Sequence, residues 1–134
     1  MSLYNYLVRL ETILVSRQDM TVEQLQVDVA TVSTLFRCEV QFRDGSRLSV
    51  TEQLESTGQR DFRRNTYRMN YLDRDGNLVF RYDNAPHYPK LSTFPAHKHV
   101  GGSVVAAEPP DLSDVLAEID PIVYQDSEAT APNS

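Results

Sequence analysis

Residues 36–50 read FRCEVQFRDGSRLSV, and this stretch decides the fold. Apolar and polar residues alternate over its first seven positions, which is the pattern of a strand with one buried face. Asp44-Gly45 follows, and the alternation resumes at Leu48 and Val50. An Asp-Gly pair between alternating runs predicts a hairpin, because glycine accepts a positive φ without a Cβ clash.

The same pattern occurs again in residues 67–82, which read YRMNYLDRDGNLVFRY. Asp75-Gly76 separates two alternating runs there. Upstream, residues 25–29 alternate as in a further strand, although residues 21–29 are also compatible with a short helix. Consecutive strands joined by short loops predict an antiparallel meander of four or five strands.

Two stretches with helical spacing flank this predicted sheet. Leucines at positions 3, 7, 10 and 14 predict an amphipathic helix from Leu3 to about Ser16. Near the other end, Asp111 is an N-cap residue type, and the apolar residues that follow predict a helix ending before Pro121. We therefore expect one α+β domain over residues 1–124, with the sheet packed against an N-terminal and a C-terminal helix. Residues 125–134 are small, polar and acidic, which predicts a disordered tail.

Charge is unevenly distributed along the chain. The net charge is −6, from 13 basic and 19 acidic residues, and residues 108–134 hold 7 acidic residues and no basic one. Residues 60–100 contain 8 Lys or Arg against 4 Asp, together with all three histidines. This segment predicts a basic surface compatible with RNA binding, although arginines also commonly solvate the outer face of a sheet.

Several classes of protein have no support in the sequence. No apolar run is long enough to span a membrane and the first residues do not form a signal peptide, so we expect a cytoplasmic protein without membrane contact. Cys38 is the single cysteine, which excludes an internal disulfide and a thiolate zinc site made by one chain. The glycine motifs of nucleotide-binding folds are missing.

Residues 81–99, RYDNAPHYPKLSTFPAHKH, hold every histidine and both lysines of the chain. Three prolines stiffen the segment, which indicates an ordered functional loop at the end of the sheet. Histidine titrates near neutral pH, so the cluster suits proton transfer.

Metal-independent RNA cleavage is the leading interpretation of this segment and would make the protein a ribonuclease. Histidines would act as general acid and base, and cations would stabilise charge on a phosphorane-like transition state. The catalytic candidates are His87, His97, His99, Lys98 and Arg81. The substrate-binding candidates are Tyr82, Asp83, Asn84, Tyr88, Arg64 and Arg68.

Two other interpretations stay open. In an extended chain His97 and His99 lie on one side about 6.6 Å apart, so they can chelate an ion with His87 or Asp83 as a third ligand. Lys98 between them repels a cation, and we predict no resident metal. Alternatively, the arginine-rich sheet and the His/Pro loop form a non-catalytic module that binds protein or nucleic acid, since a single histidine is more often simply hydrogen-bonded.

Two segments carry a family resemblance: DGNLVFRYDNAPH from Asp75 to His87, and FPAHKH from Phe94 to His99. With the first helix, FRDGS at 42–46 and EPPDL at 108–112, they resemble the TumE-type toxin family of prokaryotic toxin-antitoxin systems over about residues 3–120. Family members commonly have a second histidine where this chain has Tyr88 and Ala96, so neither position is required here for proton transfer.

The resemblance implies a small toxin whose partner is a cognate antitoxin, often encoded by a neighbouring gene. RNA is the expected target from the residues rather than from the resemblance. A homodimer is left open.

Overall fold

The structure, a computed structural model, describes residues 1–129 of the chain, with side chains described as far as Gln125. Helix α1 spans Leu3–Val15 and helix α2 spans Leu112–Ala129. Seven strands lie between the helices: β1 Met20–Val29, β2 Thr34–Phe42, β3 Arg47–Ser56, β4 Phe62–Leu72, β5 Leu78–Asp83, β6 His97–Val100 and β7 Ser103–Ala106.

The strands form a single antiparallel sheet in sequence order, from β1 at one edge to β7 at the other. The α+β class and the meander are therefore confirmed. Residues 21–29 belong to a strand rather than a short helix. The predicted count of four or five strands is wrong, because β6 and β7 form a further hairpin around Gly101-Gly102. Both glycines have positive φ, at 56° and 80°, which is what a tight two-residue turn requires.

Both hairpins predicted from Asp-Gly pairs are present, and they use the same three-residue loop. In the first, the N–H of Phe42 donates to the carbonyl of Ser46, and the N–H of Gly45 donates to the carbonyl of Phe42. Asp73, Gly76 and Asn77 repeat this pattern in the second hairpin. The glycine of each loop has φ near +85°, a conformation that disfavours a side chain.

One face of the sheet carries both helices and the hydrophobic core. Alternate residues of β2 to β5 point to this face, where they meet the apolar stripes of α1 and α2. The buried side chains include Leu10, Leu14, Phe36, Val40, Leu48, Leu54, Met69, Tyr71, Leu112 and Ile119. Cys38 belongs to the same core, and its burial raises the pKa of the thiol to about 12. The opposite face of the sheet is polar.

Helix α2 continues past Pro121, where the sequence predicted it to end. Proline removes one backbone donor, but Ile119 and Val123 on either side of it are both buried in the core. Packing therefore outweighs the local preference. The tail predicted for residues 125–134 overlaps the end of this helix, and residues 130–134 lie outside the described residues, so its disorder stays a prediction.

Acidic residues just before α2 and within it pair with cations on the helix side of the sheet. Asp111 pairs with Arg9, and Asp120 pairs with Arg17 at 2.6 Å. Glu118 accepts hydrogen bonds from Lys98 and from the hydroxyl of Tyr82. Over residues 1–129, neither helix combines the length and the hydropathy that crossing a membrane would need.

Candidate active site

Strands β5 and β6 bring the histidine segment together on the open face of the sheet. In their antiparallel register Asp83 lies opposite His97, and Arg81 lies opposite His99. Residues on directly opposite positions share a face, so these four side chains lie on the side away from the helices. The predicted loop is therefore shorter than expected, because His97 and His99 belong to a strand.

Asp83 is the centre of the cluster. Its Oδ1 lies 2.9 Å from Nε2 of His97, and its Oδ2 lies 3.4 Å from Nε2 of His99. The N–H of Ala85 also donates to Oδ1 at 2.9 Å. The carboxylate is mostly buried and is held by one backbone donor and two imidazoles, which fixes its orientation.

His97 is fully engaged at both ring nitrogens. Nδ1 lies 2.9 Å from the carbonyl oxygen of Pro95. A carbonyl oxygen only accepts, so Nδ1 carries a hydrogen and donates it. Nε2 lies 2.9 Å from Oδ1 of Asp83, within hydrogen-bond distance. The side chain is only 1% exposed, which makes His97 a positioning group.

His99 is the accessible partner, with its side chain 24% exposed. With Nε2 directed at Asp83, Nδ1 makes no hydrogen bond to any part of the chain that the structure describes. Burial lowers the pKa of His99, the carboxylate of Asp83 raises it, and His97 and Arg81 lower it, with a net shift below the usual value. The residue is therefore neutral at neutral pH and able to accept a proton.

Tyr88 lies among the three histidines. Its ring centroid is 4.8 Å from that of His97, 6.0 Å from that of His99 and 6.5 Å from that of His87, all in edge-to-face geometry. His87 is exposed on the loop after β5. The phenol thus occupies the space between the exposed and the strand-bound histidines. Ala96, the other predicted departure from the family pattern, is buried.

These residues line an open cavity of about 490 Å³. Arg68 of β4 and Arg81 of β5 contribute cations to its wall, and Arg81 donates from Nε to the side-chain oxygen of Asn70. Asn84 also lines the cavity, but both ends of its amide contact β4: Oδ1 accepts from the N–H of Tyr67, and Nδ2 donates to the carbonyl of Asn65. Asn84 therefore anchors the loop.

Three predicted site residues lie elsewhere. Lys98 follows His97 in a strand, so it points to the opposite face, where it contacts Glu118 and the rings of Phe80 and Tyr82. Tyr82 lies on the same face as Lys98.

Arg64 is the third of these residues. It donates to Glu52 at 2.9 Å and to the carbonyl of Pro110, on the side of the sheet that carries α1 and α2. Strand alternation places Lys98 and Tyr82 on the helix side, whereas Arg64 reaches that side because the β3–β4 register shifts between Gln53 and Leu54.

Asp83, His97 and His99 also have the residue types and spacing of a metal site. One ligand atom from each lies within 4.8 Å of the other two. Imidazole and carboxylate ligands suit first-row transition metals, and the contact of His97 with Pro95 is a typical outer contact of such ligands. An ion at this position would replace the direct contact between His97 and Asp83. The contact between Nε2 of His97 and Oδ1 of Asp83 already gives each of these two atoms a polar partner.

The sequence offered Asp83 only as one of two alternative third ligands beside His97 and His99, because their contact depends on the register of β5 and β6. Glu118, which holds Lys98 and Tyr82, was also missed. The sequence signal for this register was the Gly101-Gly102 pair. It predicts a tight turn, and a hairpin at that turn makes residues 97–100 a strand.

Comparison with known proteins gives one match. A family model described as Toxin TumE matches residues 7–125 of the 134-residue chain. No curated protein and no solved structure matches the chain.

Proposed function

The chain belongs to the TumE toxin family, and we propose that it is a toxin that cleaves RNA by metal-independent acid–base chemistry in the cavity beside Asp83. The observation that carries this proposal is the contact between Asp83 and His99. It places an oriented, accessible imidazole against a cavity whose wall holds Arg68 and Arg81.

His99 is the general base. Oδ2 of Asp83 lies 3.4 Å from Nε2, which favours the tautomer with its hydrogen on Nε2 and its lone pair on Nδ1. The lowered pKa of His99 keeps that lone pair available at neutral pH. Matching of the pKa to the working pH is what general acid–base catalysis requires.

The reaction is transfer of the phosphoryl group to the neighbouring 2′-hydroxyl of RNA. His99 takes the proton of that hydroxyl while its oxygen forms a bond to phosphorus. The bond from phosphorus to the 5′ oxygen breaks, and the leaving oxygen takes a proton from His87, the general acid. Arg68 and Arg81 stabilise the negative charge on the phosphate oxygens, an effect worth about 3 kcal/mol for one well-placed group.

The remaining predicted residues have supporting roles. His97 holds Asp83, and Tyr88 packs between the histidines. Asn84 fixes the loop to β4. Lys98, Tyr82 and Arg64 join the helices to the sheet on the other face, so we assign them no part in the chemistry.

Controlled expression tests the role in the cell. Wild-type protein should arrest growth, and co-expression of the adjacent open reading frame should relieve the arrest if that frame encodes the antitoxin. His99→Ala should abolish the arrest, whereas Lys98→Ala should keep it, although both residues lie in β6. Equal toxicity of wild type and His99→Ala at equal protein levels would contradict the proposal.

A second candidate function is binding without catalysis. Arg68 favours it, because this exposed arginine has no ion-pair partner among the described side chains and stands ready to bind an anion. Under this alternative, Arg68→Glu abolishes toxicity while His99→Ala retains it. The two variants therefore separate the candidates in one growth assay.

A further inference from the structure

A row of outer-face side chains crosses the sheet and ends at the candidate site. Strand register places Arg37 of β2 opposite Thr51 of β3, Thr51 opposite Arg68 of β4, and Arg68 opposite Asp83 of β5. His97 continues the row on β6. Neighbouring strands are about 4.8 Å apart, so the row from Arg37 to the histidine is roughly 19 Å long.

The two arginines of this row differ from the other arginines of the sheet. Arg47, Arg63 and Arg64 each lie within ion-pair distance of a glutamate. Arg37 and Arg68 are exposed and have neither an ion pair nor a hydrogen bond to any described side chain. Because Arg37 and Arg68 lie in one row and have no anionic partner, they can each bind a phosphate.

The rows on either side carry little positive charge. The neighbouring row on one side runs across the strands through Glu39, Ser49, Asn70 and Arg81. Its one cation, Arg81, lies beside the cavity. Toward the other side lie uncharged residues and the carboxylate of Asp28. A duplex presents two phosphate backbones, whereas this face offers cations for one.

We propose that the substrate is single-stranded RNA that lies across the strands, with phosphates beyond the cleaved bond bound first by Arg68 and then by Arg37. This inference rests on the proposed cleavage activity. The length of the row is comparable with the smallest single-strand sites, about four nucleotides. Sequence preference is not required, because the contacts are to phosphates. The in-line attack of the 2′-hydroxyl also needs a nucleotide that can leave A-form geometry.

The test compares two substrates that share one cleavable bond. One is a ten-nucleotide DNA strand with a single ribonucleotide at its centre, and the other is the corresponding dinucleotide. Arg37→Gln should lower the ratio of kcat/KM for the long over the short substrate about tenfold. It should also reduce by about one the slope of log kcat/KM against log salt for the long substrate.

Arg74→Gln is the matched control, because this exposed arginine lies in the β4–β5 turn at the far end of the sheet. It should leave the ratio unchanged. Annealing the long substrate to its complement should prevent cleavage. An unchanged ratio in Arg37→Gln, or efficient cleavage of the duplex, would overturn the inference and leave the proposed function intact if the dinucleotide is cleaved. Absence of cleavage of both substrates by wild-type protein would overturn both.

Discussion

In the proposed mechanism, the contacts of Asp83 determine which histidine accepts the proton. It contacts His97 and His99, but His97 is buried and its other nitrogen is bound to Pro95. Of these two histidines, His99 alone keeps a ring nitrogen without a partner in the described chain. At the scale of single residues, the three histidines therefore have three different environments and three different roles.

Replacing Asp83 by asparagine tests its role as a positioning residue. The change keeps the shape but removes the charge that orients His99, and we expect kcat for RNA cleavage to fall about 10²-fold. Because the carboxylate raises the pKa of His99, its loss should also move the acid limb of the pH profile to lower pH. A fall in kcat with an unmoved acid limb would indicate a purely structural role.

The pH dependence of the wild type follows from the same residue. Burial lowers the pKa of His99, so the base form persists below the usual histidine value, and the acid limb of kcat/KM should lie below about pH 6.5. The same lowered pKa affects folding stability. Because His99 has a higher pKa in the unfolded chain, protonation favours unfolding, and the contribution of His99 to stability is lost as pH falls through its lowered pKa. An acid limb above pH 7 would contradict this assignment.

Sequence alone did not show that the candidate side chains divide between two faces of the sheet. His97, Lys98 and His99 are consecutive, and their proximity suggested one cluster. Once they form a strand, alternation places Lys98 with Glu118 on the helix side. The prediction depended on knowing whether residues 97–100 were loop or strand.

At the scale of elements, strand β4 presents two arginines to opposite faces. Arg64 points to the helices, where it pairs with Glu52, a carboxylate that also accepts from the hydroxyl of Tyr6 at 2.6 Å. Burial and the neighbouring Glu52 raise the pKa of Tyr6, so the phenol stays protonated as the donor. Arg68 points to the open face.

This pair of arginines gives a matched experiment. Arg64→Ala leaves Glu52 buried without its cation and should lower the free energy of unfolding by about 3 kcal/mol. Arg68→Ala should change that free energy by less than about 0.5 kcal/mol, because the side chain is exposed, yet reduce RNA cleavage at least tenfold. Denaturant unfolding and cleavage assays on both variants check this, and the reverse ranking would contradict the placement of the two faces.

The elements that the sequence predicted well are those with long periodic patterns. Helix α1 and the two Asp-Gly hairpins have enough residues for the period to be clear. Strands β6 and β7 have four residues each, too few for alternation to stand out. The prediction ended helix α2 too early, at Pro121. Val123 beyond the proline packs into the core, and rules based on local sequence do not include such tertiary contacts.

At the scale of the whole molecule, charge is separated by face. On one side of the sheet, Arg9 pairs with Asp111 just before α2, and Arg17 and Lys98 pair with acidic residues of α2. The open face keeps the unpaired arginines and the histidines. The net charge of −6 therefore coexists with exposed arginines on the open face, because Asp111, Glu118 and Asp120 are paired on the other side.

Glu118 tests this separation of faces. It accepts from both Lys98 and Tyr82 and joins α2 to β5 and β6. Glu118→Ala should lower the free energy of unfolding by about 1 kcal/mol, in keeping with a partly exposed ion pair and hydrogen bond. RNA cleavage below the unfolding temperature should be unchanged. A tenfold loss of kcat without loss of stability would place Glu118 in the chemistry and contradict the account.

The most direct measurement is cleavage of single-stranded RNA by purified wild-type protein and His99→Ala in the presence of excess EDTA. The account predicts cleavage by the wild type in EDTA, with 2′,3′-cyclic phosphate ends, and a rate reduced at least 10²-fold in His99→Ala. Failure of the wild type to cleave RNA, cleavage only after a metal ion is added, or equal rates in the two proteins would contradict it.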